Sequence, residues 1–599
     1  MPTIENLRIT YTSTIYRKKS RITKKFLTKL FTTASSGRVG HPIINEKQVI
    51  RGTDGNEYKW SCLLVKFKTQ PTFLENTPIK NEIHGYLLLI EHDEYVFIFK
   101  DKINDISTVI KGYLEKINYE ELCSLFQHEE AAYESITLNS LNTSPVAVRS
   151  KKLEAMNLKK SISRLGTNRQ IPKNLKKRTD GTCVSITPVS SRISSYTKKA
   201  SVDEIAQWTM SIVSDIKLGH TLDDFLQNFA EPISYEQKRN ELKPLGVFFD
   251  LNEIEEDLKN SPNAELYWLC KDGEKIIPLK NRQRERLFTT AKNTFVVEQH
   301  GDDYTVKLED FNICSLNLNK KTITATGGIL KNIIYKDDFI EEKLHILLRK
   351  KRALHVSFDD HKLLYCNGNL FQDTKILRDI EGLLSSFITD DSLVNVKSEK
   401  GFKHLTEHST EFHSESLFYF VENIYSKDDF LICDDLGDEW ADHIGFKRGG
   451  GSNPEISFYI SKHKHGTSSS ASQLQDVIGQ AQKNIGRIFI DTEEFKKKIT
   501  HKWAEPFNAN KITTKISRIR KNSGDIVRSF EEISSYPNTV RQMVIVADFI
   551  SKSKLQKILV DLKTGIERRP HYTQLFWILS SFMGVCQEMG VRPLVVCAP

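Results

Sequence analysis

The chain of 599 residues carries a formal net charge of +9, with 39% apolar and 27% charged residues, and it is too long for one hydrophobic core, since domains usually hold about 100 to 200 residues. The longest apolar run, residues 575–586, is interrupted by serines and is shorter than the ~20 residues that a membrane-spanning helix needs, so no membrane association is expected. The nine cysteines are scattered singly without a Cys-x-x-Cys pair, which fits neither a zinc ribbon nor a disulfide framework and is typical of a cytoplasmic protein.

Residues 1–137 have the pattern of a small α+β domain. The apolar runs Gly85–Ile90 and Tyr95–Phe99 flank a short polar turn, which predicts a buried β-hairpin. Residues 106–130 then have helical spacing. Nothing in this part indicates a chemical activity.

Residues 138–200, named here the basic segment, hold fourteen basic and two acidic residues and carry +12, so the rest of the chain sums to −3. Its Ser/Thr-rich composition predicts a linker. Concentrated positive charge attracts a phosphate backbone, which makes Lys176, Lys177 and Arg178 candidates for contact with nucleic acid. A solvated connector without a ligand is the alternative.

Residues 201–400 are expected to form a second α+β domain. A helix is predicted over 202–226, followed by strands such as 265–270, 305–308 and 354–358. The acids and histidines of this part are dispersed, so no catalytic role is assigned to it.

Residues 401–599 alternate more regularly and predict a mixed sheet flanked by helices. A helix over 414–425 precedes a hairpin with the arms 431–446 and 455–462, and a helix over 474–488 follows. Two further strands, near 542–547 and 593–597, surround a helix near 572–588.

Two charged side chains of this hairpin occupy positions that are unfavourable without a partner. Asp442 shares a face of its expected strand with Trp440 and Ile444, and Lys462 ends the second arm on a face with Ile460. A buried carboxylate or ammonium needs a counter-charge, a metal or an anion. In the following helix, one stripe holds the polar residues Asp476, Gln480, Lys483 and Arg487. This stripe is either part of a functional site or the ordinary solvent-exposed face of an amphipathic helix.

The order of these elements resembles the PD-(D/E)xK, or restriction-endonuclease-like, superfamily, and in particular nuclease domains of bacterial anti-phage defence proteins. Those domains carry a G-E-x-A-D strand, a Y-H-C-K strand and a Y-E-V-C-G-Q-A helix. Here Glu439, Ala441 and Asp442 match the first motif, Tyr459 and Lys462 the second, and Val477, Gly479, Gln480 and Ala481 the third. The resemblance covers about residues 400–599.

The resemblance implies a metal-dependent nuclease in which Asp442 and a second acid bind Mg²⁺ or Mn²⁺, Lys462 polarises the attacking water and Gln480 positions phosphate or water. The usual second acid is missing, because position 460 is isoleucine. Asp476 is the preferred replacement; Glu439 is the other, although strict strand alternation points it away from Asp442. Lys483 and Arg487 would contact nucleic acid.

The expected function is therefore hydrolysis of phosphodiester bonds, in DNA in preference to RNA, by a cytoplasmic defence effector. No P-loop is present, so a helicase, ATPase or sensor would be a separate partner, and a homo-oligomer is left open. The alternative is a catalytically inactive subunit with a nuclease fold that binds nucleic acid or assembles with such a partner. A weaker signal, His404-x-x-Glu407-His408, matches the H-x-x-E-H pattern of zinc peptidases without a third ligand.

Overall fold

The computed structural model of the chain contains two compact units, residues 1–158 with 168–374 (unit 1) and residues 159–167 with 375–599 (unit 2). The structure describes residues 2–599 except 37–41, 54–55, 70, 72–73, 75–76, 127–130, 145, 163–166, 180, 220–223, 262, 271–274, 310, 338–339, 374–379, 467–470, 510–511, 565 and 567–568. Within these residues no helix has the length and apolar character needed to cross a membrane.

Unit 1 is a mixed α+β body built on antiparallel sheets. The strands of its first sheet, in spatial order, are Ile44–Thr53, Asn56–Thr69, Asn81–His92, Tyr95–Asp101, Thr12–Lys18, Arg192–Ser195, Thr182–Thr187, Gln170–Thr179, Ala132–Ser140 and Ser150–Glu154, and Leu114–Lys116 also pairs with Thr12–Lys18. The expected hairpin is confirmed, since Leu88 pairs with Phe99 and both are fully buried.

The other strands of unit 1 form two sheets. The larger has the order Glu231–Ile233, Asn369–Gln372, Leu363–Cys366, Leu354–Phe358, Pro244–Phe249, Phe295–His300, Asp303–Leu308, Phe311–Leu318 and Ile323–Thr326; the smaller has Ile276–Pro278, Glu265–Leu269, Ile333–Lys336 and Glu341–Lys343. The α-helices of unit 1 are Lys24–Ala34, Ser107–Ile110, Tyr119–Cys123, Val202–Leu218, Asp224–Gln227, Tyr235–Lys238, Asn252–Asn260, Asn281–Ala291 and Leu344–Lys350. The short helix Leu158–Ser161 begins at the last residue of the first segment of unit 1, and its other residues are assigned to unit 2.

The basic segment is not a linker. It supplies strands to the first sheet, and in Gln170–Thr179 apolar side chains such as Ile171 and Leu175 point inward between the lysines. The helix expected over 106–130 is also replaced, by two short helices and the strand Leu114–Lys116. Residues 1–158 and 168–374 therefore form one unit, and its last boundary falls near residue 374 instead of 400.

Unit 2 is built on one mixed sheet. Its strands are β1 (Phe387–Thr389), β2 (Phe430–Cys433), β3 (His443–Lys447), β4 (Glu455–Lys462), β5 (Ile519–Asn522), β6 (Val540–Ser551) and β7 (Arg592–Ala598). They lie in the order β1-β7-β6-β4-β3-β2-β5, in which β1, β7, β6 and β4 are parallel and β4, β3, β2 and β5 are antiparallel.

Helices cover both faces of this sheet. They are α1 (Ile380–Leu384), α2 (Leu417–Tyr419) continued by a π-helix (Phe420–Tyr425), α3 (Ala471–Asn484), α4 (Thr492–Lys497), α5 (Ile526–Ser535), α6 (Lys552–Thr564) and α7 (Pro570–Glu588). Central strand β4 is buried on both faces, because Phe458 and Ile460 join the core under α3 while Tyr459 joins a second core beside the π-helix. This alternation explains its long apolar run.

Candidate functional site

A loop between β2 and β3 carries the acids of the candidate site. The sequence predicted one continuous strand over 431–446, but β2 ends at Cys433 and β3 begins at His443. Asp434 holds the loop: its fully buried carboxylate accepts hydrogen bonds from the backbone N–H of Trp440 (2.7 Å), the indole of Trp503 (2.7 Å) and the ammonium of Lys498 (2.8 Å). Strand alternation therefore does not govern which way Glu439 points.

The loop brings Asp435, Glu439 and Asp442 together, with one carboxylate oxygen from each lying within 4.8 Å of the others. All three are partly buried. Burial raises the pKa of Asp442 to about 8, although the backbone N–H of Ser461 donates to its Oδ2 at 2.7 Å and opposes that rise. Burial also raises the pKa of Glu439, and the negative charge of Asp435 adds to both rises.

One lysine contacts these carboxylates directly and a second is linked to them through Glu399, which lies 4.0 Å from Lys400. Lys400 Nζ is 2.7 Å from Asp435 Oδ2, and Lys462 Nζ is 3.2 Å from Glu399 Oε2. Burial by itself would lower the pKa of Lys400, but attraction to Asp435, Asp442 and Glu399 raises it. The site is thus a mixed cluster in which acids and lysines are held close together in a partly dehydrated recess.

The acid that the sequence favoured lies elsewhere. Asp476 is on the exposed face of α3 with 61% of its side chain accessible, and its carboxylate is 3.8 Å from Lys464 Nζ. Glu439, and not Asp476, is the described residue that groups with Asp442, together with Asp435. Ile460, at the position of the missing acid, is buried in the same core as Leu474 of α3.

The polar stripe of α3 is mostly a solvated face. Gln480 is exposed, and Arg487 pairs with Glu494 at 3.3 Å. Lys483 is exposed yet near enough to Glu439 to oppose the rise in the pKa of that carboxyl caused by burial. Of this stripe, Lys483 is therefore the residue whose charge acts on the acids of the loop.

A histidine–aspartate pair follows β4. His463 Nδ1 is 2.5 Å from Asp548 Oδ2, and the backbone N–H of Lys464 donates to Asp548 Oδ1 at 3.3 Å. Burial raises the pKa of Asp548, which the hydrogen bond from His463 opposes. The buried Nε2 of His463 has no hydrogen-bond partner among the described residues.

Three residues of the site were not predicted. Asp435 directly follows β2 as the second member of an Asp-Asp pair, which is a signal that could have found it. Glu399 and Lys400 have no such signal, because they precede β2 by thirty residues in a segment without motif or periodicity.

Two other predicted sites are not assembled. His404 ends a short 3₁₀ helix and stacks on His413, whereas Glu407 and His408 are about three-quarters exposed, so the H-x-x-E-H residues do not share a helix face. In the basic segment Lys177 is 1% exposed and donates to the backbone carbonyls of Cys123 and Leu125. Its assignment to nucleic-acid contact is therefore wrong.

The neighbours of Lys177 have a carboxylate partner. Lys176 lies 3.0 Å from Glu134 Oε2, and the guanidinium of Arg178 binds the other oxygen of the same carboxylate. These two cations remain on the surface, so contact with nucleic acid stays a prediction for them.

The carboxylate oxygens of Asp435, Glu439 and Asp442, named here the acid trio, are suitable ligands for a hard divalent cation. Mg²⁺ and Mn²⁺ prefer carboxylate oxygens, and a bound cation would stabilise the ionised form of Asp442, which burial disfavours. Comparison of the chain with protein-family models, with curated proteins and with solved structures found no match.

Proposed function

We propose that unit 2 is a metal-dependent nuclease that hydrolyses phosphodiester bonds, in DNA in preference to RNA. The observation that carries the proposal is the convergence of Asp435, Glu439 and Asp442 beside Lys400, to which Glu399 links Lys462. Carboxylates that hold a cation next to an ammonium group are the parts that phosphodiester hydrolysis requires.

The topology of unit 2 supports a restriction-endonuclease-like fold. An antiparallel β2-β3-β4 meander is followed by helix α3 and by β6, which lies parallel to β4. The acids lie just before β3 and the lysine ends β4, which is the order of motifs in that superfamily. A role as an effector of bacterial anti-phage defence is proposed on the resemblance alone.

The roles of the residues follow from their positions. Asp435, Glu439 and Asp442 would hold Mg²⁺ or Mn²⁺, which supplies Lewis acidity and a template for in-line attack on phosphorus. Lys462, whose ammonium lies at the rim with 25% of its side chain exposed, stabilises negative charge on the phosphate. Lys483 on α3 binds a neighbouring phosphate of the strand by charge.

The contact of Lys400 with Asp435 favours a second candidate function, a nuclease fold without activity. The ammonium at 2.7 Å already neutralises one carboxylate of the trio. If it serves as a permanent substitute for the metal, the chain binds nucleic acid or a partner helicase or ATPase without cleaving.

A cleavage assay with matched variants tests the proposal. The full chain is incubated with plasmid, linear duplex, single-stranded DNA and RNA in Mg²⁺, Mn²⁺ or EDTA. We expect metal-dependent cleavage that Asp442→Asn, Glu439→Gln and Lys462→Met each reduce by more than about 100-fold, since loss of even an outer-shell partner commonly costs about 10- to 100-fold.

Asp476→Asn is the control, because it removes the same charge from an exposed position of the neighbouring helix. It should cleave at the wild-type rate. Cleavage lost in Asp476→Asn but kept in Glu439→Gln would refute the assignment of the acid trio. Absence of cleavage by the wild-type chain under all metal conditions would favour the inactive fold.

A further inference from the structure

Unit 1 contains a cavity of about 430 Å³ that has no role in the proposed nuclease. It lies between the helices Ser107–Ile110 and Leu344–Lys350 and the strands Ile323–Thr326 and Leu354–Phe358. Its volume falls within the range of about 300 to 1,000 Å³ that is usual for small-molecule sites.

The charged residues that line the cavity are all basic: Lys111, Arg349, Lys350 and Arg352. Lys350 is neutralised, since its ammonium lies 2.7 Å from Asp105 and also contacts Glu342. For Lys111, Arg349 and Arg352, no carboxylate of a described residue lies within 4.0 Å. Three cations thus meet at one cavity without a counter-ion from the described part of the chain.

Arg352 is fixed in place. Its guanidinium donates to the backbone carbonyls of Val189 and Asn367, the latter at 3.3 Å, and its side chain passes over Gly368, where an added Cβ would lie 3.2 Å from Arg352 Cδ. Because these contacts are to neutral groups, they orient the cation without neutralising it. Such preorganised cations are typical of anion-binding sites.

Further positive charge lies behind Arg352. Burial, together with the positive charges of Arg352 and Lys100, lowers the pKa of Lys116 to about 8. Burial also lowers the pKa of Lys100 and of Arg352 itself. Like charges held together in this way destabilise one another, and a bound anion would relieve that repulsion.

The remaining walls are apolar or weakly polar. Phe249, Ile323, Leu354 and Tyr365 are each at least 90% buried and contribute to the lining. His345 also lines the cavity, and its buried Nδ1 has no hydrogen-bond partner among the described residues. Apolar walls combined with a few polar groups are typical of sites for organic ligands.

We propose that this cavity binds a phosphorylated organic molecule of about nucleotide size, with its phosphates at Lys111, Arg349 and Arg352 and its organic part against the apolar walls. The proposal concerns unit 1 and does not depend on nuclease activity. It gives unit 1 the function of a ligand-binding domain.

Isothermal titration calorimetry of the full chain tests it, with ATP, AMP and tripolyphosphate as probes in EDTA, which prevents metal-bridged binding at unit 2. We expect saturable binding of ATP, tighter than that of tripolyphosphate and weaker at high salt. Lys111→Gln/Arg349→Gln should weaken ATP binding by at least about tenfold, since two charge-assisted hydrogen bonds are lost. Both residues are exposed, so folding should be unaffected.

Lys331→Gln/Lys343→Gln is the matched control, because it removes the same charge from exposed lysines that do not line the cavity. It should bind ATP like the wild type. No binding of any probe at millimolar concentration, equal binding of ATP and tripolyphosphate, or equal loss of affinity in the two double variants would each overturn the proposal.

Discussion

The buried contact between Asp434 and Lys498 should control the conformation of the acidic loop. Asp434→Asn keeps the shape of the side chain but leaves the Lys498 ammonium, of which only 9% is exposed, without its counter-charge. Removing one partner of a buried ion pair typically costs about 3 to 5 kcal/mol. We therefore expect backbone amides of residues 434–446 to exchange with solvent at least about 100-fold faster in the variant.

Hydrogen exchange followed by mass spectrometry measures this effect in the full chain, and the peptides of unit 1 serve as an internal reference. The double variant Asp434→Asn/Lys498→Met removes both charges while the Asn oxygen can still accept from Trp440 or Trp503. It should recover about 2 kcal/mol relative to the sum of the single changes, because the pair is coupled. Unchanged exchange in Asp434→Asn, or simple additivity in the double variant, would refute the reasoning.

Three further predictions concern single residues. Burial raises the pKa of Asp442 to about 8 from the usual 3.8, so the stability that this residue contributes is fully present below about pH 4 and is lost as the pH rises through 8. In a thermal scan with EDTA, unit 2 should therefore melt at a lower temperature at pH 8 than at pH 6. Asp442→Asn should remove most of that difference. Lys177→Met leaves two buried carbonyls without their donor and should lower the free energy of unfolding in urea by about 1 to 3 kcal/mol. The binding of duplex DNA and its dependence on salt concentration should stay unchanged. A weaker dependence of DNA binding on salt would mean that Lys177 contacts phosphate. Gly445→Ala places a Cβ 2.1 Å from Asp428 Oδ2 and should destabilise unit 2 by about 1 to 3 kcal/mol as measured by urea unfolding, and a neutral result would show that Asp428 can move aside.

The helices and strands that were predicted correctly are those in which apolar residues recur with a strong period. The strands β4, β6 and β7 are apolar because helices cover both faces of the sheet, so residues of these strands are buried in a core on either face. The helix predicted over 202–226 is confirmed at its start, Val202, but it ends at Leu218 because Gly219 adopts the left-handed conformation that terminates helices. Such elements carry their own signal, since the spacing of apolar residues directly reflects which face is buried.

The basic segment shows where this signal fails. The strand Gln170–Thr179 buries Ile171 and Leu175 among its lysines, but the charge dominated the composition and indicated a linker. Lys177 even points inward, because two carbonyls bind its ammonium. A local pattern cannot reveal that partner, which lies about fifty residues away in the sequence.

Only part of the candidate site was predicted from the sequence, because contacts between residues that are far apart in the sequence arrange the rest. Asp442, Glu439 and Lys462 were named from motifs, yet the preferred second acid was Asp476, because strand alternation disfavoured Glu439. The loop that overrides this alternation depends on Lys498 and Trp503, about sixty-five residues further on. Glu399 and Lys400 reach the site only through tertiary packing.

The same contacts have a consequence for biosynthesis. A nascent chain that has emerged only as far as β4 already exposes Asp435, Glu439, Asp442 and Lys462. Lys498 and Trp503, which bind Asp434, have not yet emerged, and neither has strand β6, which pairs with β4. The acids therefore cannot be held in their final arrangement until late in synthesis. A chain truncated before residue 498 would have every acid of the trio but would lack the two side chains, Lys498 and Trp503, that bind the Asp434 carboxylate.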